Sequence, residues 1–336
     1  MVSALAEKTE MWMVCLPLEG SSVANPGSPL GGTFAGRCAH DGAAAMNDRP
    51  RNLRWCGAGE KIRWQATGTA QMSRVTVNGA EFYFEVRGMG PPVLLIMGAT
   101  GDGGHFDAFA DLLADEFTVV SYDRRGNGRS PVPASWQTTS PEEQADDAAA
   151  LLEALETGPA AVFGTSSGGT FALCLLVRHP AWVRGAILHE PGLYALVDFA
   201  AVRAPLRALV QEAMERGGPP AAVERFWCYV AGDDGWNRLT PTLRERLRAT
   251  ASTLFEVELG SYELYLPDEE TLAALSAPVS LLVSEDGLPF SPEITGRLGK
   301  RLGVEVATTP GTHAAYHDHP YELAEAVRPF LREVTA

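Results

Sequence analysis

The sequence predicts an α/β fold: a mostly parallel, twisted sheet flanked by helices, with a helical lid inserted between two core strands. Short apolar runs alternate with helical patterns from Met72 onward, and a glycine-flanked serine separates one such run from the helical pattern that follows it. One long interval between two apolar runs lacks any strand pattern. Strands buried on both faces are almost continuously apolar, and their alternation with helices is typical of parallel sheets covered on both sides.

The strand pattern begins with a predicted hairpin formed by residues 73–77 and 81–86 around Asn78-Gly79. Further strands are predicted at 92–97, 117–121, 160–163, 185–189, 279–283 and 304–308. Helices are predicted at 106–114, 141–155, 167–178 and 321–333. Ser140 and Glu143 form a capping box with Pro141 at the first helical position, which marks where the second of these helices begins.

These elements divide the chain into three parts. Residues 1–70 are rich in Gly, Pro, Ser and Ala without helical or strand periodicity, which predicts a disordered N-terminal extension. Residues 71–190 and 278–336 supply the core. Residues 191–277 form the predicted lid, with helical stretches that include 201–215 and 241–254. Its aromatic side chains are suited to an apolar pocket, and we expect three of them to bind substrate: Tyr194, Phe226 and Trp227.

Composition excludes several functions. A net charge of −15 without any Lys/Arg-rich run disfavours nucleic-acid binding. No apolar run approaches the roughly 20 residues needed to span a bilayer. The 5 cysteines lack any C-x-x-C or Cys/His spacing, so no metal site is predicted. Without a clear secretory signal, we expect a cytoplasmic monomer or homodimer that acts on a small molecule.

The motif that carries chemistry is Gly164-Thr165-Ser166-Ser167-Gly168. It lies between a predicted buried strand and a predicted helix, the context of a nucleophile elbow, in which small residues two before and two after the serine relieve crowding. The turn also places Ser166 at a helix N-terminus, where a developing negative charge is favoured. We therefore predict Ser166 as the nucleophile.

A serine hydroxyl needs a base to remove its proton. His313 follows the last predicted strand in Pro310-Gly311-Thr312-His313, and groups at the carboxyl ends of parallel strands converge at one edge of the sheet. We predict His313 as the base, with His317 and His319 as nearby alternatives.

The histidine in turn needs a carboxylate that holds its tautomer and orientation. Two residues suit this role from the sequence. Asp286 lies just beyond the strand predicted at 279–283, and Glu190 directly follows the strand predicted at 185–189. Both strand ends face the same edge of the predicted sheet, so the residues alone leave the choice open.

An oxyanion hole requires two backbone N–H groups, one from the residue after the nucleophile and one from the loop after the third strand. The first is predicted to be Ser167. The second is predicted to be Ala99, with Gly98 or Thr100 as alternatives in the glycine-rich loop at 98–104. This loop has neither G-x-G-x-x-G in register nor G-K-[ST], so no nucleotide cofactor is expected.

Together these features resemble the α/β-hydrolase superfamily over residues 72–336. The glycine-rich loop, the segment YDRRGNGRS at 122–130, the elbow and the Gly-x-His before the last helix all match. The resemblance implies a Ser/His/acid hydrolase whose lid selects the substrate and which uses no organic cofactor. Met97-Gly98 stands where His-Gly is usual in the superfamily, and Ser284 stands where Gly is common.

A second likeness concerns His189-Glu190-Pro191, which is similar to the zearalenone-lactonase group, where a Glu after this strand serves as the acid. By that resemblance Glu190 is preferred over Asp286. The expected function is hydrolysis of a carboxylic ester or lactone of a small, fairly apolar molecule through an acyl-enzyme on Ser166. A lyase, C–C hydrolase or perhydrolase on the same scaffold and a catalytically silent ligand-binding protein are the alternatives, since fold alone does not fix the reaction.

Overall fold

The computed structural model describes residues 71–336. The extension predicted over residues 1–70 lies outside the described residues. No helix within 71–336 is both long and apolar enough to cross a membrane.

Within the described residues, eight strands form one sheet in the order β1-β2-β4-β3-β5-β6-β7-β8. They are β1 (Gln71–Val77), β2 (Ala80–Arg87), β3 (Pro92–Ile96), β4 (Thr118–Tyr122), β5 (Ala160–Thr165), β6 (Val183–His189), β7 (Val279–Asp286) and β8 (Val306–Thr312). The first two strands form the predicted hairpin, and β2 also pairs antiparallel with β4, whereas the pairs from β4 to β8 are parallel. The predicted α/β class with a mostly parallel sheet is confirmed.

Helices of the core flank this sheet. They are α1 (Asp107–Leu113), α2 (Pro141–Ala154), α3 (Ser167–Arg178), α8 (Ser291–Leu302), α9 (Ala315–Asp318) and α10 (Pro320–Thr335), numbered together with the lid helices given below. The predicted cap of α2 is present, because the Glu143 amide donates to Ser140 Oγ at 3.2 Å. Helix α2 packs on α3, and α1 packs on α10.

The interval between β6 and β7, which the sequence predicts to be a lid, contains no strand and is called the lid segment below. Its helices are α4 (Phe199–Ala231), α5 (Gly235–Arg238), α6 (Pro241–Ala249), a π-helix (Thr253–Glu258) and α7 (Glu269–Ala273). Helix α4 is broken at Gly217 and Gly218, whose backbone angles are not helical and which precede two prolines. The helix predicted at 241–254 ends at Ala249, and the chain then winds into the π-helix.

The centre of the sheet is the most deeply buried part of the core. Val93, Leu94, Leu95 and Ile96 of β3 have no exposed surface. Each such side chain contributes about 1.5–3 kcal/mol by leaving water. Burial of these central strands holds the loops at their carboxyl ends in place. The candidate site lies in these loops.

Candidate active site

Ser166 lies in the single turn between β5 and α3. Its backbone has φ 55 and ψ −129, a conformation that is strained for any residue other than glycine. Hydrogen bonds hold this geometry: the Ser166 amide donates to the His189 carbonyl at 3.0 Å, and the Ser166 carbonyl accepts from the Gly192 amide at 2.9 Å. Strain confined to one serine between a buried strand and a helix is typical of a nucleophile elbow.

The two glycines of the motif are required by close contacts. A Cβ on Gly164 would lie 2.3 Å from the Gly168 carbonyl oxygen, and one on Gly168 would lie 2.2 Å from the Ile96 carbonyl oxygen. Real Cβ atoms do not approach backbone so closely. The spacing seen in the sequence therefore reflects a turn that only glycine at both positions permits.

His313 directly follows β8 and is buried. Its Nδ1 is hydrogen-bonded to Glu190 Oε2. Gly311, two residues before His313, has φ 108, a backbone conformation that favours glycine. A Cβ at this position would also collide with the side chains of Asp318 and His319. His313 and Ser166 line the same cavity, so the base and the nucleophile predicted from the sequence are brought together.

Glu190 is 2% exposed and has an unusual φ of 44, which turns its side chain toward His313 as the chain leaves β6. Its Oε1 accepts from the Ser284 amide at 2.9 Å, and its Oε2 accepts from Ser291 Oγ at 2.9 Å. Gly287 makes room for the carboxylate, because a Cβ there would lie 1.8 Å from Oε1.

Burial alone raises the pKa of Glu190, but the His313 charge and the hydrogen bonds from His313 and Ser284 outweigh it and lower the pKa to about 2. Glu190 is therefore ionised at neutral pH and can only accept hydrogen bonds. The proton in the His313–Glu190 bond consequently sits on Nδ1, which leaves the Nε2 of a neutral ring able to accept a proton.

Asp286, the other candidate acid, ends β7 next to β8 with an exposed side chain. The alternative bases also lie elsewhere. His317 packs at the edge of Trp227 and His105, and His319 is bonded to Asp318 at 3.0 Å. Of the acids and bases considered from the sequence, Glu190 and His313 are the pair that the structure joins.

His189, named from the sequence only as part of His189-Glu190-Pro191, is a buried histidine next to this pair. His189 bonds Thr165 Oγ1 through Nδ1 and Ser284 Oγ through Nε2, both at 2.9 Å. Burial lowers its pKa to about 4 despite the nearby Glu190 charge, so the ring is neutral at pH 7. Ser284 thus joins the His189 ring to the Glu190 carboxylate. The sequence feature that corresponds to this role is that Ser284 stands where Gly is common in the superfamily.

Both predicted oxyanion donors belong to segments next to Ser166. Ser167 begins α3 and is fully buried, and Ala99 lines the cavity together with Ser166. Gly98 packs against the elbow, since a Cβ there would lie 2.8 Å from Ser166 Cβ. Thr100 has φ 79 and does not line the cavity. Of the three loop residues, Ala99 is the one placed at the cavity wall.

Side chains of the lid segment line the cavity that holds Ser166. Tyr194 and Phe226 line it as the sequence predicts. Trp227 does not: it is 1% exposed and stacks on His105, with ring centroids 4.4 Å apart. The reason is helical phase: Phe226 shares one face of α4 with the lining residues Tyr229 and Val230, and Trp227 points about 100° away from Phe226, outside that face.

Two more of the lid aromatics expected to suit an apolar pocket, Tyr229 and Tyr262, also line the cavity. The lining residues that were not anticipated from the sequence are Val202, Arg203, Leu206, Val230, Leu259, Leu288 and Phe290. Apart from His313, Arg203 is the only lining residue with an ionisable basic group, and it forms an ion pair with Glu263. Within residues 71–336 no group of three or more His, Cys, Asp or Glu side chains could hold a metal ion.

A strained elbow serine beside a carboxylate-held histidine, at the carboxyl edge of a parallel sheet, is typical of the α/β-hydrolase class of proteins. Comparison with known proteins agrees. The family model for the alpha/beta hydrolase fold matches residues 91–216. An uncharacterized hydrolase, YraK, of Bacillus subtilis is 30% identical over 274 residues, covering 79% of this chain and 97% of the relative. The chain therefore belongs to the α/β-hydrolase superfamily and is a hydrolase of that fold.

Two further relatives carry names that describe an activity. A zearalenone hydrolase of Bionectria ochroleuca is 26% identical over 266 residues, covering 75% of this chain and 94% of the relative. A thermophilic esterase from Thermogutta terrifontis superposes with a TM-score of 0.63 at 26% identity, covering 79% of this chain and all of that structure. The relatives thus include one named as a zearalenone hydrolase and one described as an esterase.

Proposed function

We propose that this chain is a serine hydrolase that cleaves a carboxylic ester or lactone of a small, fairly apolar molecule. The observation that carries the proposal is that Ser166, strained at φ 55, shares one cavity with His313, whose Nδ1 is held by the ionised Glu190. A serine nucleophile, a base and an orienting carboxylate are the groups that acyl transfer requires.

In this mechanism Ser166 Oγ attacks the substrate carbonyl carbon while His313 Nε2 takes the hydroxyl proton. The negative charge on the carbonyl oxygen is stabilised by the amides of Ser167 and Ala99. His313 then returns the proton to the leaving alcohol oxygen, which leaves an acyl group on Ser166. Water deprotonated by His313 attacks this acyl-enzyme, and His313 returns that proton to Ser166 Oγ as the acid is released, with Glu190 ionised throughout.

The lining of the cavity supports the substrate class. Aliphatic and aromatic side chains such as Leu206, Phe226 and Phe290 form most of its wall, which favours an apolar substrate body. The cavity contains about 440 Å³ of space, counting the part that is open to solvent, which suits a small molecule.

The test is hydrolysis of a panel of p-nitrophenyl esters and lactones that differ in chain length, by the wild-type protein and by Ser166→Ala. We expect hydrolysis by the wild-type protein and a loss on the order of 10⁵-fold to 10⁶-fold in kcat for Ser166→Ala, as when other triad serines are removed. Wild-type protein that cleaves no member of the panel, or Ser166→Ala that retains the activity, would contradict the proposal.

A further inference from the structure

Arg124 follows β4 and has no exposed surface. Its Nε donates to the Met97 carbonyl and one Nη2 proton to the Gly98 carbonyl, both at 2.8 Å. Of the other three protons, one is donated by Nη1 to Gln144 Oε1 at 3.0 Å. The remaining two are donated to the two carboxylate oxygens of Glu258, each at 2.8 Å. All five N–H groups of the guanidinium are therefore used.

The contact with Gly98 has a consequence for the neighbouring amide. In a trans peptide the carbonyl and the following N–H point in opposite directions within one rigid plane. Because the Gly98 carbonyl points at Arg124, the Ala99 N–H points away from it, and Ala99 lies at the wall of the cavity that holds Ser166. The orientation of the proposed oxyanion donor is thus set by the position of one guanidinium.

The lid holds that guanidinium in place. Glu258 ends the π-helix, is 1% exposed, and forms a two-pronged pair with Arg124. Asn127 Nδ2 donates to the same carboxylate at 2.8 Å, and Leu259, the next residue of the lid, lines the cavity. The lid also contacts the loop that follows Ala99, because Arg246 of α6 forms an ion pair with Asp102.

We propose that Arg124 and Glu258 are positioning residues of the oxyanion hole. The Glu258 carboxylate of the lid fixes the Arg124 guanidinium, which fixes the Met97 and Gly98 carbonyls and so aims the Ala99 amide at the oxyanion. The inference rests on the proposed function, and it makes efficient acyl transfer depend on the lid being seated. A lid that lifts Glu258 away from Arg124 releases the loop that carries the oxyanion donor.

The chain offers a matched control in the next residue. Arg125, which is 5% exposed, forms a buried, two-pronged pair with Asp147 of α2, with distances of 2.8 and 2.6 Å, and also donates to the Asn78 carbonyl. Glu258→Gln and Asp147→Asn therefore make the same chemical change in neighbouring arginine pairs. Both leave a buried guanidinium with an impaired partner, and both are expected to lower stability.

The first experiment measures kcat and KM of both variants with a p-nitrophenyl ester, after urea unfolding has verified that each is folded. We expect kcat to fall about 10-fold to 100-fold in Glu258→Gln with KM within about threefold, since loss of an oxyanion donor costs about 10²-fold to 10³-fold in kcat. Asp147→Asn is expected to stay within about threefold of the wild-type kcat. Equal kcat losses in the two variants, or a loss in Glu258→Gln confined to KM, would overturn the inference.

The second experiment does not depend on turnover. The Gly101 amide donates to the Gly98 carbonyl at 3.0 Å, so freeing that carbonyl from Arg124 loosens this turn. We expect faster hydrogen exchange over residues 97–101 in Glu258→Gln than in the wild-type protein, and no such change in Asp147→Asn. Unchanged exchange over 97–101 rejects the positioning role even if the proposed hydrolase activity is absent, so the two failures are distinguishable.

Arg124→Lys provides a milder variant if Glu258→Gln does not fold. Lysine keeps the positive charge but loses the planar fork that holds two carbonyls and a carboxylate together. We expect the same selective fall in kcat and the same faster exchange over 97–101. Wild-type kcat and exchange in Arg124→Lys would show that charge alone suffices and that the fork does not position the loop.

Discussion

Glu190 follows β6 and Asp286 ends the neighbouring parallel strand β7, at the same edge of the sheet. The surroundings of the two carboxylates nevertheless differ. Glu190 is 2% exposed and bonded to His313, Ser284 and Ser291, whereas the Asp286 side chain is exposed. The positive φ at Glu190 and the missing side chain at Gly287 account for the difference. Position at a strand end alone therefore does not make a carboxylate the partner of the histidine; the local backbone and the space around it do.

The largest expected effect comes from exchanging each carboxylate for its amide. Glu190→Gln replaces an ionised acceptor by a group that can face His313 Nδ1 with an N–H, which disfavours the tautomer needed for catalysis. We expect kcat to fall about 10³-fold to 10⁴-fold, comparable with loss of the acid in other triads. Asp286→Asn is expected to stay within about threefold of the wild-type protein, measured as ester hydrolysis.

The reverse outcome would identify Asp286, at the end of β7, as the acid. If Asp286→Asn removes activity by orders of magnitude and Glu190→Gln does not, Asp286 is the functional acid, and the arrangement around Glu190 is structural.

A smaller effect is expected when the space beside Glu190 is filled. A Cβ at position 287 would lie 1.8 Å from Glu190 Oε1, so Gly287→Ala displaces the carboxylate without removing it. Misplacement of a catalytic group by about 1 Å costs roughly 10²-fold, and we expect kcat to fall about 10-fold to 100-fold. Gly296→Ala is the control, since no atom lies within 4 Å of a Cβ there. Equal activities of the two alanine variants would show that Gly287 does not position Glu190.

The smallest effect concerns stability against pH. The folded pKa of Glu190, about 2, is lower than its ordinary value of 4.5, so Glu190 stabilises the fold above the ordinary value and loses that contribution as the pH falls toward 2. Glu190→Gln lacks this contribution. We therefore expect the difference in free energy of unfolding between wild type and Glu190→Gln, measured with urea, to narrow from about pH 5 to about pH 2. A difference that stays constant over this range would indicate that the Glu190 pKa is not lowered by folding.

Much of the core could be predicted because local signals agree there. The α3 bounds match the predicted 167–178, since the elbow fixes the start of the helix, and His179-Pro180 follow its last residue. The apolar runs predicted every parallel strand to within a few residues at each end. Helix α8 (Ser291–Leu302) was not anticipated: its Gly296 and Gly299 weaken the local helical signal, and burial of its apolar face stabilises it instead.

The parts of the site that the sequence left open depend on contacts between distant segments. The choice between Glu190 and Asp286 depends on a left-handed backbone at position 190 and on free space at position 287. Both Phe226 and Trp227 were predicted to bind substrate, but the rotation of α4 over the core places only Phe226 at the cavity. Arg124 stood in a segment noted for resemblance alone, because its role becomes visible only when Glu258, 134 residues further on, is seen beside it.

Covalent labelling with a fluorophosphonate, followed by intact-mass and peptide mass spectrometry, tests most directly whether Ser166, His313 and Glu190 act as one nucleophilic unit. We expect a single adduct, on Ser166, that forms at similar rates in the wild-type protein and in Asp286→Asn. Labelling should be slowed by about 10²-fold or more in Glu190→Gln and be absent in Ser166→Ala. An adduct on another residue, or slow labelling in Asp286→Asn with normal labelling in Glu190→Gln, would contradict it.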